Sequence, residues 1–441
     1  MKKSFARNTF WMISCRVIQM IIGFIIGIIS ARFLGPSNYG VITYVESYIS
    51  LFTSFCSLGF NSIIIKKILM FEGKEDELFG TAIVLRLISG LFSSISIVML
   101  LAIINDFSSL YIIVAILEAI TLIFQAFEII KYWYLYKLES KKTSILYTIA
   151  YVITALYKLF LLISGKSIIW FAFSLSIDSI LIAIFLVVIF KKDKRFKFKF
   201  SFDIAKNILN DGWHYIISGL MIAIYSQTDK IMLKHFFNEV YVSYYSVSLT
   251  ITSVISFVLI AVIDSASSVI IALSKKSNSP IACERRIKQL YCFVFWFSIL
   301  WSSLICVFSD YIISILYGVD YLPCAPTLKI LVWEIAFSYI GSARNSWILI
   351  NNKEKIVKHL AIIGAGINIV LNLMFIPIMN SAGAAVATLI SEFIVSIVLQ
   401  FLIPDLRRNG VLVIEGILFI DVINKNELEK IAQKFRNFLN R

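Results

Sequence analysis

The stretch "ARFLGPSNYG", residues Ala31 to Gly40, separates two long apolar runs near the start of the chain. Each run holds about 20 residues, the length that a helix needs to cross a bilayer. Glycine adopts backbone conformations that other residues avoid, and Pro36 fixes its own φ angle and disfavours a helical conformation at Gly35. The stretch therefore predicts a tight turn between two membrane-spanning helices, with Gly35, Pro36 and Gly40 as its hinge or gate.

The composition of the whole chain supports a membrane protein. Of its 441 residues, 59% are hydrophobic and 15% are charged, against about 45–50% and about 25% in soluble domains. The net charge of +14 comes from basic residues scattered through short polar connections, without an aromatic-rich basic domain that could read bases. We therefore predict an integral membrane protein that binds no nucleic acid.

Twelve apolar stretches follow one another along the chain. They lie at about 10–31, 41–65, 80–104, 108–130, 143–164, 167–190, 212–235, 241–272, 286–309, 326–350, 356–379 and 383–404. The expected fold class is an all-α membrane protein, with twelve transmembrane helices in two six-helix bundles around a central cavity. The corresponding domains are an N-terminal bundle at 1–190, a cytoplasmic amphipathic linker at 191–211, a C-terminal bundle at 212–404 and a cytoplasmic tail at 405–441.

The distribution of basic residues predicts the orientation in the membrane. The N-terminal segment, every second connection and the C-terminal tail together hold 32 of the 41 lysines and arginines. Such segments stay in the cytoplasm by the positive-inside rule, and they attract anionic lipid headgroups. We expect a multi-pass protein of the bacterial cytoplasmic (inner) membrane with both termini in the cytoplasm and with membrane lipids as partners.

Ionisable residues inside the spans are the most informative feature. Each costs roughly 2.5–3.5 kcal/mol at a helix centre that faces lipid, so most must face one another or water. They share helix faces with other polar residues, as Arg86 does with Ser89, Ser93 and Ser94. The thirteen are Arg16, Glu46, Arg86, Glu118, Glu128, Lys158, Asp178, Asp229, Lys230, Asp264, Glu334, Arg344 and Glu392. Their polar stripes predict a hydrated cavity.

These residues divide by charge into two groups of candidates. Five cations suit a phosphate-bearing anionic cargo and predict a cationic substrate-binding cavity: Arg16, Arg86, Lys158, Lys230 and Arg344. Five acids are candidates for ion coupling or gating: Asp229, Glu118, Glu128, Asp178 and Glu334. The alternative for each residue is a structural salt bridge between helices, and this alternative is favoured for Glu46, Asp264 and Glu392.

The sequence offers no sign of catalysis, of a metal site or of a cofactor. The six cysteines form no CxxC pair, and His214, His235 and His359 stand far apart. No nucleotide-binding loop is present. The longest external connection, near 310–325, is too short for a catalytic domain. We therefore expect a protein that is not an enzyme, with no catalytic residues, no metal and no cofactor.

Three stretches in this order resemble Wzx-type polysaccharide flippases of the multidrug/oligosaccharidyl-lipid/polysaccharide (MOP) superfamily: "ISARFLGPSNYGVITYVESY", "YSQTDKIMLKHFFNEVYVSYYSVS" and "GAGINIVLNLMFIPIMNSAGAAVATLISE". The resemblance implies translocation of undecaprenyl-pyrophosphate-linked oligosaccharide repeat units to the periplasmic leaflet, for O-antigen (lipopolysaccharide) or capsule synthesis. It implies alternating access, with the polymerase and chain-length proteins of the pathway as partners. Because no nucleotide-binding loop is present, either an ion gradient, with H+ or Na+ as the coupling ion, or the removal of substrate and product would drive transport.

Two other classes of protein remain open at this point. One is a drug or metabolite exporter of the same superfamily, which would have a more apolar or acidic pocket and a coupled cation. The other is a polytopic membrane enzyme of polysaccharide assembly, which shares the composition. A peptidoglycan-precursor flippase is related to the first class but would usually have more than twelve helices.

Overall fold

A computed structural model describes residues 2–193, 197–276 and 280–420. Every regular element in these ranges is helical and none is a strand, as the composition predicts. The α-helices are α1 (Lys2–Cys56), α2 (Phe60–Met70), α3 (Glu75–Ile104), α4 (Ser109–Phe124), α5 (Lys131–Tyr136), α6 (Ser140–Ile163), α7 (Ile168–Asp193), α8 (Phe202–Phe236), α9 (Glu239–Thr252), α10 (Ser256–Lys276), α11 (Pro280–Leu316), α12 (Ala325–Leu331), α13 (Glu334–Ile350), α14 (Lys355–Phe393), α15 (Leu399–Leu402) and α16 (Arg407–Ile417).

Eight helical stretches in the described part of the chain are long and apolar enough to cross a membrane. The chain is therefore a multi-pass membrane protein. It forms two compact units: the first comprises the described residues of Met1–Ser246 together with Ser314–Tyr321, and the second comprises those of Val247–Ile313 and Leu322–Arg441. Helix α8 belongs to the first unit.

Helix α3 of the first unit has an apolar exposed face and a buried face that carries polar residues. On α3, five large apolar side chains recur every three or four residues and are about 60% exposed: Ile88, Phe92, Ile95, Met99 and Ile103. The predicted polar stripe, with Arg86 and Ser93, is buried on the opposite face of the same helix. The structure thus confirms the stripe on α3.

The stretch Ala31–Gly40 breaks α1 at one residue only. Gly35 has a φ of 72° and a ψ of 169°, while the residues on both sides are helical. A positive φ is available to glycine at little cost, and Pro36 prevents the helix from continuing through it. The connection between the first two predicted spans is therefore a sharp kink, shorter than the predicted turn. A second kink divides α14 at Asn380, three residues after Pro377.

Two other predicted boundaries differ from the structure. The predicted span 41–65 ends earlier, because α1 stops at Cys56 and a turn with positive φ at Leu58 and Gly59 leads into α2. The apolar stretch after Pro404, which falls within the predicted cytoplasmic tail, forms the helix α16, whose Leu412 and Val413 are buried in the second unit. Residues 421–441 of the predicted tail lie outside the described residues.

The linker between α7 and α8 has no regular secondary structure where it is described, at residues 197–200. Its backbone binds the start of α3: the N–H of Lys197 donates to Asp76 Oδ2 at 3.4 Å, and that of Ser201 donates to Thr81 Oγ1 at 2.9 Å. The aromatic rings of Phe198 and Phe200 are both exposed, so this part of the predicted amphipathic strip presents a row of apolar side chains.

Candidate functional site

A cavity of about 500 Å³ lies within the first unit, among α1, α4, α7 and α8. Small and hydroxyl-bearing residues make up much of its wall, such as Ser50 and Thr53 of α1 and Gly219 of α8. Two carboxylic acids, Glu46 of α1 and Glu118 of α4, also line it. A space between helices with few polar groups at defined positions is typical of a site for a small ligand or an ion.

Glu118 is the most unusual residue of the cavity. Its side chain is fully buried, and neither carboxylate oxygen has a hydrogen-bond partner among the described residues. A buried carboxylate in this situation is costly unless it takes a proton or meets a ligand or a cation. Its charge lies within electrostatic range of Glu46 and Lys158. The cavity therefore contains an acid whose hydrogen-bonding capacity is left to a ligand, a proton or water.

Two lysines accompany the acids. Lys158 of α6 and Lys230 of α8 both lie close enough to Glu46 for their charges to interact. The cluster of Glu46, Glu118, Lys158 and Lys230 thus draws residues from four helices and carries a formal charge of zero when all four are ionised. Opposite charges in one cluster reduce the cost of burying each of them. Glu46, for which the sequence favoured a structural salt bridge, is the residue that all three others approach.

Asp178 and Asp229 extend this cluster. Thr154 Oγ1 donates to Asp178 Oδ1 at 3.4 Å, and Asp178 lies within electrostatic range of Lys158. Asp229 is 3% exposed and accepts a hydrogen bond from the hydroxyl of Tyr245 at 2.5 Å. Adjacent residues of a helix point about 100° apart. Asp229 accordingly meets Tyr245 of α9, while its neighbour Lys230 lies near Glu46.

Arg86 and Glu128 belong to a separate charged group in the first unit. The Arg86 side chain is 5% exposed, and its charge interacts with that of Glu128, with Tyr132 and Tyr147 also close by. Glu128 also pairs with Lys131, with 2.7 Å between Nζ and Oε2. Because Arg86 Nε has no hydrogen-bond partner among the described residues, the guanidinium retains donor capacity at this position.

The remaining predicted residues do not join these groups. Arg16 is exposed on α1 and forms no hydrogen bond or ion pair with a described residue. Arg344 and Glu334 belong to α13 of the second unit. Arg344 is 6% exposed and donates from Nη1 to the carbonyl of Val395 at 3.1 Å, within the π-helical turn Ile394–Val398. None of the five predicted cations is among the residues that line the first-unit cavity.

The hinge residues meet the junction between α8 and α9. A Cβ atom at Gly40 would collide with the backbone carbonyl of Glu239. The hydroxyl of Ser37 donates to Glu239 Oε1 at 3.1 Å. Tyr111 donates to Glu239 Oε2 at 3.2 Å, and Lys234 pairs with the same oxygen at 2.8 Å. Glu239 is therefore the centre of a polar cluster at the kink of α1.

Sequence reasoning did not identify Glu239 or the pair that Lys67 forms with Asp211. Lys67 is 1% exposed, and its amine binds both Asp211 and the side chain of Asn207. All of these residues lie near span ends, where charged residues are common and carry little information. Each of these two ion pairs joins a lysine of one helix to an acid of another helix. Their only indication in the sequence is that lysines and acids both occur near the polar connections.

The fold of the chain is similar to that of several solved membrane transporters. Its structure is similar to that of the lipid II flippase MurJ in an inward closed conformation, with a TM-score of 0.70 and 16% identity over 99% of this chain and 96% of MurJ. A MATE-family multidrug resistance transporter of the MOP superfamily in an inward-facing conformation gives 0.64 and 16% identity, over 91% of this chain and 93% of the transporter. A MOP superfamily transporter from Pyrococcus furiosus gives 0.54 and 14% identity, over 95% and 94%.

These likenesses show that the chain has the fold of the MOP superfamily. No curated protein sequence matches the chain. The sequence model of the family described as "polysaccharide biosynthesis protein" matches residues 5–268, which is more than half of the 441 residues. The match includes the kink of α1, the first-unit cavity and the junction between α8 and α9. The chain therefore belongs to the polysaccharide biosynthesis protein family.

Proposed function

We propose that this protein is a flippase for lipid-linked oligosaccharides, which moves undecaprenyl-pyrophosphate-linked repeat units from the cytoplasmic to the periplasmic leaflet for surface polysaccharide synthesis. The observation that carries the proposal is the family match over residues 5–268, combined with buried charges inside a MOP-type fold. A diphosphate and several sugars cannot cross hydrocarbon without a polar path. The protein would shield this head group while the prenyl chain stays in lipid.

Helix lengths support twelve crossings. The stretches Trp11–Cys56 and Lys355–Leu402 hold 46 and 48 residues, and each spans about 70 Å at 1.5 Å per residue, more than twice the hydrocarbon core. Both are kinked, at Gly35 and at Asn380. With two crossings for each of these two stretches, the eight candidate stretches give ten crossings. Helix α8 and the pair α12–α13 supply two more, which makes twelve.

Head-group binding would rest on the five predicted cations. In the first unit these are Arg86, Lys158 and Lys230, with Arg16 at the exposed face of α1; Arg344 would contribute from the second unit. A pyrophosphate oxygen could replace the present acidic or carbonyl partner of Arg86, Lys158, Lys230 or Arg344, and Arg16 could bind one without such an exchange. The domain boundaries 1–190, 191–211, 212–404 and 405–441, the cytoplasmic termini and the bacterial inner membrane are part of this proposal.

Ion coupling and alternating access complete the proposal. Glu118 is a candidate for H+ or Na+ binding, because it is a buried acid without a hydrogen-bond partner among the described residues. Asp178, Asp229, Glu128 and Glu334 are the further candidates. The binding or release of a cation at such an acid would shift the equilibrium between two states of the protein, which are open to opposite faces of the membrane. The kink at Gly35, Pro36 and Gly40 would act as the gate.

The test is translocation by the purified protein in liposomes that contain a fluorescent undecaprenyl-pyrophosphate-linked glycan. The loss of fluorescence after a membrane-impermeant quencher is added outside the liposomes reports the fraction of the glycan in the outer leaflet. We expect Lys158→Ala and Lys230→Ala to abolish translocation at normal protein levels. Lys166→Ala, an exposed lysine in the turn between α6 and α7, is the matched control. Full translocation by the two lysine variants would exclude a role of these lysines in head-group binding.

One observation favours a second candidate function, export of small organic cations. The cavity itself is lined by two acids and by no basic residue, which suits a cationic drug or metabolite better than a pyrophosphate. This alternative predicts that the protein lowers the cellular accumulation of an organic cation such as ethidium, and that Glu118→Gln abolishes the effect. Surface polysaccharide would then be unchanged when the gene is deleted.

A further inference from the structure

The last described helix, α16, lies beside the first half of α11 in the second unit. Near its start, Arg408 Nε donates to Glu284 Oε1 at 2.9 Å. At its end, the carbonyl of Ile417 accepts a hydrogen bond from Trp296 Nε1 at 3.0 Å. The two contacts lie about 14 Å apart along α16 and about 18 Å apart along α11, in the same order. The two helices therefore run side by side in the same direction.

The charges of α11 mark where the hydrocarbon of the membrane begins. Lys288 precedes 21 positions without a charged residue, 289–309, and Asp310 follows them. Those positions cover about 32 Å of helix, close to the hydrocarbon thickness of about 30 Å. Lys288 therefore lies at one boundary of the hydrocarbon, and Trp296 lies about 12 Å inside it. Because α16 starts level with Glu284 and ends level with Trp296, it begins outside the hydrocarbon and ends within it.

Polar groups on this part of α11 find their partners in α16. Lys288 is buried and pairs with Glu415, with 2.9 Å between Nζ and Oε2. The buried hydroxyl of Tyr291 donates to Asn409 Oδ1 at 2.7 Å, and the indole of Trp296 makes the bond given above. Such groups cost several kcal/mol each in hydrocarbon when they have no partner. Helix α16 thus allows α11 to carry them at this depth.

Helix α16 ends in a closed turn before it could cross the membrane. Its 11 residues, Arg407–Ile417, cover about 16 Å, which is half of the hydrocarbon. Phe419 then has a φ of 60°, and the N–H of Ile420 donates to the carbonyl of Glu415 at 2.8 Å, the bond pattern that closes many helices. The N–H groups of Leu418 and Phe419 also donate to carbonyls of α16. All three N–H groups of the turn are therefore bonded within the protein, as hydrocarbon requires.

We propose that α16 is a re-entrant helix, which dips into the cytoplasmic leaflet and presents its tip to the acyl chains of the surrounding phospholipids. The tip consists of Leu418, Phe419 and Ile420, which are all exposed. Apolar side chains exposed together are unfavourable in water and suited to hydrocarbon. Only the choice of leaflet rests on the orientation proposed above, because the depth follows from α11. The first part of the predicted tail 405–441 would then lie in the membrane.

Site-directed fluorescence of the full chain in phosphatidylcholine liposomes measures this depth. A bimane label is attached to Leu418→Cys and, in a second protein, to Ile420→Cys. We expect a nitroxide deep in the lipid chains to quench both labels more strongly than a nitroxide on the headgroup. Iodide on both sides of the membrane should quench them several-fold less than the matched control, Arg407→Cys, which is exposed at the start of the same helix. The protein without an introduced cysteine corrects for label on the native cysteines.

Equal quenching by iodide at positions 407 and 418 would overturn the proposal, because α16 would then lie in water. Stronger quenching of the two labels by the headgroup nitroxide would overturn it as well, because the helix would then lie along the membrane surface.

The leaflet is tested in whole cells with a membrane-impermeant maleimide. Arg407→Cys should react only after the cytoplasmic membrane is permeabilised, and reaction in intact cells would overturn the assignment to the cytoplasmic leaflet. None of these measurements uses transport, so they can fail while the liposome translocation assay succeeds. A failed translocation assay with deep labels at 418 and 420 would, in turn, reject the flippase function and leave the position of α16 unchanged.

Discussion

Lys234 and Glu239 form an ion pair, with 2.8 Å between Nζ and Oε2, across the short break between α8 and α9. The same carboxylate accepts hydrogen bonds from Ser37 beside the kink of α1 and from Tyr111 of α4. The Lys234 amine also lies 5.0 Å from the centre of the Tyr111 ring, a distance typical of a cation–π contact. This Glu239 cluster therefore joins three helical regions of the first unit at one carboxylate.

We expect Glu239→Gln to loosen the contact between the kink and the start of α9. The substitution keeps the size of the side chain but removes the charge, so it weakens the pair with Lys234 and the charge-assisted bonds from Ser37 and Tyr111. A cysteine placed at Ser37 reports the change through its rate of reaction with a membrane-impermeant maleimide. In the Glu239→Gln background this rate should rise several-fold.

Asp106→Asn provides the control for this experiment, because Asp106 is exposed in the turn before α4. It should leave the labelling rate unchanged. The protein without Ser37→Cys corrects for reaction at the native cysteines. An unchanged rate in the Glu239→Gln background would mean that the cluster does not hold the kink closed.

Gly40 makes a second prediction about the same contact. A methyl group at this position meets the carbonyl of Glu239, which belongs to the backbone and cannot move aside as a flexible side chain can. We expect Gly40→Ala to destabilise the folded protein by about 1–3 kcal/mol, the usual cost of overpacking. Gly27→Ala is the matched control, because a Cβ atom there has open space around it. Thermal unfolding in detergent measures both, and equal melting temperatures would contradict the close contact.

The sequence predicted those features that repeat along a helix or depend on local chemistry. The burial of Arg86 and Ser93 followed from their spacing, and the kink followed from Gly35 and Pro36. Contacts between distant segments could not be predicted in this way. Nothing in the spacing of Glu46 indicates that lysines from α6 and α8 approach it, since this depends on how the helices pack. The packing of α16 was not predicted for the same reason. It depends on contacts with residues that are far away in the sequence.

The pair between Lys67 and Asp211 predicts a defined pH dependence of stability. The Lys67 amine binds the Asp211 carboxylate and holds its pKa below the usual value for an aspartate. A carboxylate with a lowered pKa stabilises the fold at every pH above its unfolded value of about 3.9, and this contribution is lost as the pH falls through the lower, folded value. We expect Asp211→Asn to be less stable than the unsubstituted protein from pH 7 to about pH 5, by a constant difference that shrinks only below about pH 4.

Thermal unfolding in detergent across this pH range gives the comparison. Glu72→Gln is the control, since Glu72 is exposed in the turn after α2 and should change the melting temperature little. Lys67 is buried, so Lys67→Met should be tolerated better than Lys67→Ala, because methionine fills the same volume without an ionised group. A difference between Asp211→Asn and the unsubstituted protein that vanished between pH 7 and pH 5 would show that another group is responsible.

Glu118 makes the sharpest prediction for the transport cycle. Its two oxygens are buried without a hydrogen-bond partner among the described residues, and glutamine has the same shape but cannot bind a proton or pair with a cation. We expect Glu118→Gln to fold normally and to carry out slow, gradient-independent equilibration of the fluorescent glycan in liposomes. The acceleration that an imposed proton or sodium gradient gives to the unsubstituted protein should be absent.

Glu128→Gln tests whether the effect of Glu118→Gln is specific to ion coupling or follows from the loss of any acidic charge in the first unit. Glu128 pairs with Lys131 and lies near Arg86, outside the lining of the cavity, so its removal should lower the rate of translocation but keep the response to the gradient. Glu118→Gln should instead lose the response to the gradient, because only an acid that exchanges its cation during the cycle can link transport to the gradient. A Glu118→Gln protein that still responded to the gradient would exclude Glu118 as the coupling residue. Asp178 and Asp229 would then be the next candidates, although their carboxylates already accept hydrogen bonds from Thr154 and Tyr245.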